Sequence, residues 1–103
     1  MNSVAACFQE TITDILSDKF ILAARNLGYK KIALAGGVAA NSALRGKIAS
    51  KAEANGMEFF VPELSLCGDN AAMIGCQAYY EYLAGNIADM SLNAYATKKL
   101  HML

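Results

Sequence analysis

Two short stretches of this 103-residue chain carry side chains whose type and spacing suit a charged small molecule. The first is Ala35-Gly36-Gly37-Val38-Ala39-Ala40-Asn41. A glycine pair lets backbone amides come close to a ligand, because no Cβ intervenes and a positive φ costs little. Free amides at a helix start favour an anion or a polar ring edge, and Asn41 either caps the helix or presents its amide to a base. Gly-Gly followed by Asn is equally ordinary strand-to-helix turn chemistry, so this segment alone leaves both readings open. The second stretch is Cys67-Gly68-Asp69-Asn70-Ala71-Ala72-Met73-Ile74. Asp69 and Asn70 stand side by side before an apolar helix. One can cap it while the other faces outward to a metal or a phosphate-bound cation, and a plain N-cap remains the structural alternative for Asp69. His101, in an irregular tail, reads as solvated, and Tyr79, Tyr80 and Tyr82 suit packing better than base stacking.

These stretches need elements to position them. Val4, Phe8, Ile12, Ile15, Leu16, Phe20, Ala23 and Leu27 recur at helical spacing, with Ser3 as a candidate N-cap and Gly28 at the C′ position. Lys31 to Ala35 is a short apolar run that stops at Gly36-Gly37 and reads as a buried strand, with Ile32 to Leu34 at its centre. From Asn41 to Asn55 the period is helical again, with Leu44, Ile48 and Ala52 on one stripe and Lys47 and Lys51 off it. A second strand over Glu58 to Val61 ends at Pro62. A helix between two strands makes them parallel, since a hairpin cannot accommodate it. Asn70 to Leu83 is apolar on most sides and predicts a helix buried on more than one face, closed by Gly85. In an open α/β sheet both candidate stretches then leave the carboxyl ends of parallel strands, where ligands bind, and Gly37, Asn41 and Asp69 are expected to line one shallow cleft.

Composition narrows the function. With 55% apolar residues and 17% charged, the chain is too hydrophobic for a disordered tail. Nine basic against nine acidic residues lack the excess a stand-alone nucleic-acid binder needs. The longest apolar stretch, Ile32 to Ala40, is far short of a membrane span of about 20 residues. The first residues lack the basic flank of a signal peptide, and a cytoplasmic location is expected. Cys7, Cys67 and Cys76 are odd in number, lack C-x-x-C spacing and sit beside apolar residues, which predicts buried free thiols.

Taken together, Ala35 to Arg45, then Pro62, then Leu66 to Ile74 resemble the C-terminal part of the tRNA threonylcarbamoyladenosine transferase family, formerly labelled O-sialoglycoprotein endopeptidase or glycoprotease. The resemblance runs from about Val4 to Thr97. It implies an α/β chain that is one incomplete domain over residues 1–103, a partial actin/sugar-kinase-like domain with the order long helix, β-α-β parallel unit, buried helix. By that resemblance Gly36, Gly37 and Asn41 match the stretch that contacts the nucleoside part of ATP or threonylcarbamoyl-adenylate. Asp69 matches the carboxylate that ligates one divalent metal ion, iron, zinc or magnesium. The family usually has Thr where this chain has Gly68, and its His-x-x-x-His metal pair belongs to an N-terminal portion that His101 does not match.

The expected role is therefore the nucleotide- and metal-binding portion of an enzyme that moves threonylcarbamoyl from its adenylate to an adenosine of tRNA. The isolated chain is expected to be inactive, not to retain metal, and to self-associate through unpaired strand edges and apolar helix faces. tRNA and accessory proteins would be engaged through the complete protein. Catalytic residues are not assigned. A peptidase role lacks support, since the chain has no H-E-x-x-H motif. Two rivals are a sugar- or acyl-kinase-type ATP-binding fragment and a non-catalytic interaction module.

Overall fold

The computed structural model of the chain describes residues 2–96. The order is helix α1 (Asn2–Asn26), strand β1 (Lys31–Ala33), a 3-10 turn (Gly37–Ala40), helix α2 (Ser42–Ala54), strand β2 (Glu58–Phe60), a second 3-10 turn (Leu64–Leu66) and helix α3 (Ala71–Leu83). The chain divides into two compact units, Met1–Asn70 and Ala71–Leu103.

In the first unit β1 and β2 pair in parallel, with Lys31 opposite Glu58, Ile32 opposite Phe59 and Ala33 opposite Phe60. The parallel βαβ expectation holds, with each strand slightly shorter than its apolar run. The expectation of a buried strand does not. Of β1 only Ile32 is buried, and Lys31 and Ala33 are exposed. Side chains alternate across a strand, so a sheet covered on one face buries every second residue. Ile32 and Phe59 turn inward together, whereas Lys31 and Glu58 meet on the open side at 3.7 Å.

The core is a helix pair laid on that sheet. Leu44, Ile48 and Ala52, one turn apart along α2, pack with Ile21 and Ala24 of α1, Ile32 and Met57. Ile48 is 1% exposed. The buried stripe of α1 continues upward as Ser17 and Thr13, whose hydroxyls return to backbone carbonyls one turn back, Thr13 to Gln9 at 2.8 Å and Ser17 to Asp14 at 3.1 Å. Their burial thus leaves no donor unmet. The lysines off the α2 stripe turn out to be the polar seam of the pair. Lys47 Nζ reaches Glu10 at 2.8 Å and Asp14 at 2.6 Å, and Lys51 Nζ reaches Ser17 at 2.7 Å and Asp18 at 2.6 Å. The ammonium of Lys47, donating to its carboxylate, holds Asp14 below the usual carboxylate range. The same hydrogen bond to Asp14, aided by Glu10, raises Lys47.

Ser3 is not a cap, because α1 already includes Asn2. Gly28 does end that helix, at φ 75°, with Gly28 N donating to Arg25 O and Tyr29 N to Ala24 O at 3.1 and 2.9 Å. The same pattern closes α2 at Gly56 and α3 at Gly85. On the side of α1 about half a turn from its buried stripe, Val4, Phe8, Ile12, Ile15 and Leu22 are exposed.

In the second unit α3 forms where its period predicts, but none of its residues is buried. Periodicity marks which positions are apolar, and burial requires a second surface to cover them. Tyr79 and Tyr80 meet edge to face at 5.6 Å, and both are exposed. The thiol expectation also needs correcting. Cys67 is buried, whereas Cys7 on α1 and Cys76 on α3 are exposed. No described helix is long and apolar enough to cross a membrane.

Candidate functional site

The glycine pair does fall at the strand-to-helix junction. Gly36 sits at φ 85° and ψ 177°, a conformation essentially reserved for glycine, and its carbonyl accepts from Ala39 N at 3.0 Å to start the 3-10 turn. Gly37 is different. Its φ is not positive, and a Cβ built on it meets nothing within 4 Å. The fold therefore explains the first glycine and makes no demand for the second.

Asn41 is shared by two elements, ending the 3-10 turn and capping α2. Its Oδ1 accepts from Leu44 N at 3.0 Å, which is the cap reading of the sequence. That bond also fixes which end of the amide is which. The Nδ2 donors stay on the exposed side and have no acceptor among the described residues. The amides of Ser42 and Ala43, leading α2, lack intrahelical acceptors, as the first amides of any helix do. Donors without a partner in the helix thus gather at one turn, an arrangement that suits an anion or the acceptor edge of a heterocycle.

Asp69 is exposed, in the loop between the second 3-10 turn and α3. Asn70 stands immediately before α3, and its Nδ2 donates to Gly68 O at 3.0 Å and Leu66 O at 3.3 Å. This bonding shapes the loop around Gly68. The carboxylate of Asp69 has no partner among the described residues, and it is a single oxygen donor group: no cluster of three or more His, Cys, Asp or Glu side chains occurs among them. The residues present could contribute one ligand to a metal, not a full set. Gly68 has no positive φ and open space where a Cβ would stand, so neither its backbone conformation nor crowding at Cβ demands glycine there.

Sequence reasoning passed over Arg45, which lies one turn into α2. Its guanidinium donates through Nε to Ala39 O, in the glycine turn, and through Nη2 to Pro62 O at 2.7 Å and Cys67 Sγ at 2.8 Å, in the second loop. The available signal was an arginine four residues after Asn41, at the start of a helix whose dipole gives it no reason to be there. His101 lies outside the described residues. An apolar groove between the end of α1 and β1, lined by Phe20, Leu27, Tyr29 and Ile32 among others, contains none of the candidate residues.

A model of the family described as tRNA N6-adenosine threonylcarbamoyltransferase matches residues 1–76. A protein of that name from Clostridioides difficile (strain 630) is 48% identical over 101 residues, covering 98% of this chain and 30% of the relative. One from Moorella thermoacetica is 52% identical over 91 residues, 88% of this chain and 27% of the relative. One from Clostridium beijerinckii is 44% identical over 97 residues, 94% of this chain and 29% of the relative. The chain thus spans less than a third of the length of these relatives. Both candidate stretches fall within the residues matched, and the chain belongs to the tRNA N6-adenosine threonylcarbamoyltransferase family.

Proposed function

We propose that this chain is the nucleotide- and metal-facing portion of an enzyme that transfers threonylcarbamoyl from its adenylate to the amine of an adenosine in tRNA. In that reaction the amine attacks the carbamoyl carbonyl, a C–N bond forms, the C–O bond to the phosphate breaks, and AMP leaves as the amine gives up a proton. Gly36 and Gly37 would let the adenylate approach the turn, and Asn41 would donate from Nδ2 to the base. The observation that carries this reading is the double use of Asn41, whose oxygen is spent on the cap while its amide donors stay available. Asp69 would supply one carboxylate to a divalent cation, iron, zinc or magnesium, whose chemistry is to neutralise charge on the phosphate and carbonyl oxygens. The remaining ligands would come from outside the described residues. Gly37, Asn41 and Asp69 would line one side of a cleft in a partial actin/sugar-kinase-like domain, and tRNA and accessory proteins would be engaged by the complete enzyme. Alone, the chain would be inactive and would self-associate, because the outer side of α1 and the faces of α3 are apolar and exposed.

The substitution Asn41→Ser separates the two uses, because serine caps a helix about as well as asparagine but offers no amide donor. In the full chain it should leave the unfolding midpoint nearly unchanged and weaken ATP binding by about tenfold, the value of one well-made hydrogen bond to a ligand. Asp69→Asn should chiefly weaken divalent cation binding. Unchanged binding in both variants would return Asn41 to the role of a cap and Asp69 to that of an exposed loop residue, and leave an interaction module as the better reading.

A further inference from the structure

The two candidate stretches are tied together by one side chain, and we propose that Arg45 is the positioning residue that holds the glycine turn and the Asp69 loop at a fixed spacing, so that a ligand on one tightens binding at the other. This rests on the reading that the glycine turn takes a nucleotide and Asp69 a cation.

The geometry is specific. Ala39, which accepts from Arg45 Nε, is 0% exposed and lies in the 3-10 turn between Gly37 and Asn41. Cys67, which accepts from Arg45 Nη2, is 3% exposed and lies two residues before Asp69. Its own thiol turns back at 3.4 Å to the carbonyl of Glu63, the residue just before the second 3-10 turn. Pro62 O, the third acceptor, stands where the chain leaves the end of β2. Three acceptors from two loops therefore converge on one planar group. Arginine suits this, because its N–H groups diverge in a rigid fork and little freedom is lost per bond formed. A lysine, with one nitrogen on a flexible stem, cannot serve both loops at once. The turn and the loop each bury one small side chain, Ala39 and Cys67, while Gly36, Gly37, Val38, Gly68 and Asp69 are all exposed. Their relative placement thus depends on polar ties, and a displaced turn would reach Asp69 through the guanidinium.

Hydrogen–deuterium exchange on the full chain, without ligand, tests the tie. Arg45→Met should speed exchange by about tenfold in both the glycine turn and the Pro62–Gly68 loop, while amides of α1 and of the Ile48 turn of α2 keep their protection. Arg45→Lys should restore protection to one of the two loops only, and it carries the comparison if Arg45→Met does not fold. Faster exchange in a single loop, or equal loss along the whole of α2, would overturn the proposal. The coupling is read by titrating AMP with and without Mn2+, AMP being chosen for its weak affinity for the cation in solution. In the complete enzyme, which would supply the remaining cation ligands, Mn2+ should tighten AMP binding in the parent, and this fold-gain should vanish in both Arg45→Met and Asp69→Asn; a parent without the gain overturns the coupling. A gain that survives Arg45→Met overturns the coupling. If no form binds AMP, the nucleotide reading fails together with the coupling, while a joint exchange response of the two loops would still uphold the tie itself.

Discussion

Replacing each glycine of the Gly36-Gly37 pair by alanine should separate backbone strain from ligand access. At φ 85° and ψ 177° Gly36 occupies a region that a residue with a Cβ enters at a cost of about 1–3 kcal/mol. A Cβ there meets nothing within 4 Å, so the whole penalty comes from its own backbone and none from crowding. Gly37 begins the 3-10 turn without a positive φ and with equally open surroundings. Alanine at that position should be neutral or stabilise by about 0.4–1 kcal/mol, because it narrows the unfolded ensemble without straining the folded one. At about 4–8 °C per kcal/mol for a domain of this size, Gly36→Ala should lower the unfolding midpoint by roughly 4–24 °C and Gly37→Ala should leave it level or slightly raised. Thermal unfolding followed by far-ultraviolet circular dichroism measures both. If the glycine turn takes the nucleotide as proposed, Gly37→Ala should weaken ATP binding although it stabilises, because the added methyl would stand in the way of its approach. Equal destabilisation by the two substitutions would refute the assignment of strain to Gly36 alone. Unchanged ATP affinity in Gly37→Ala would remove the second glycine from the site.

Other outcomes follow from the same structure. Ile48→Ala, at the centre of the helix pair, should cost about 2–5 kcal/mol, read from the urea midpoint at constant slope. Gly68→Ala, at a position free of positive φ and crowding, should stabilise by about 0.4–1 kcal/mol; a loss would show that the loop needs glycine after all. Asp14 is held below its ordinary value of 3.8 by Lys47, so its stabilising contribution is complete above that value and is lost as pH falls through the lowered folded-state value. Urea midpoints should therefore decline less steeply on acidification in Asp14→Asn than in the parent. Lys47 is raised above its ordinary 10.5, so its contribution is present below that value and is lost as pH rises through the folded-state value; Lys47→Met should flatten the alkaline decline.

Much of the scaffold was legible because its determinants are local. The period of Leu44, Ile48 and Ala52, the glycines that end each helix, and the alternation of apolar runs with helical spacing are properties of neighbouring residues, and the parallel pairing of β1 and β2 follows from the helix between them. The cap role of Asn41 was likewise visible as one of two readings, since a cap is made with an amide three residues away. Family membership was legible from two ordered motifs for a related reason: residue types and their spacing are properties of neighbouring positions.

What depended on tertiary structure is what depends on partners distant in sequence. An apolar period on α1 and α3 says which positions avoid water, not which surface covers them; the structure covers one side of α1 and leaves α3 exposed. The polar seam of Lys47 and Lys51 joins residues more than thirty positions apart, which no local pattern encodes. Arg45 is the sharpest case. As a letter it is one more basic residue on a helix; its link to Ala39, Pro62 and Cys67 exists only once β1, α2 and β2 have brought both loops to the same edge, because a hydrogen bond needs a distance and an angle that spacing alone does not supply.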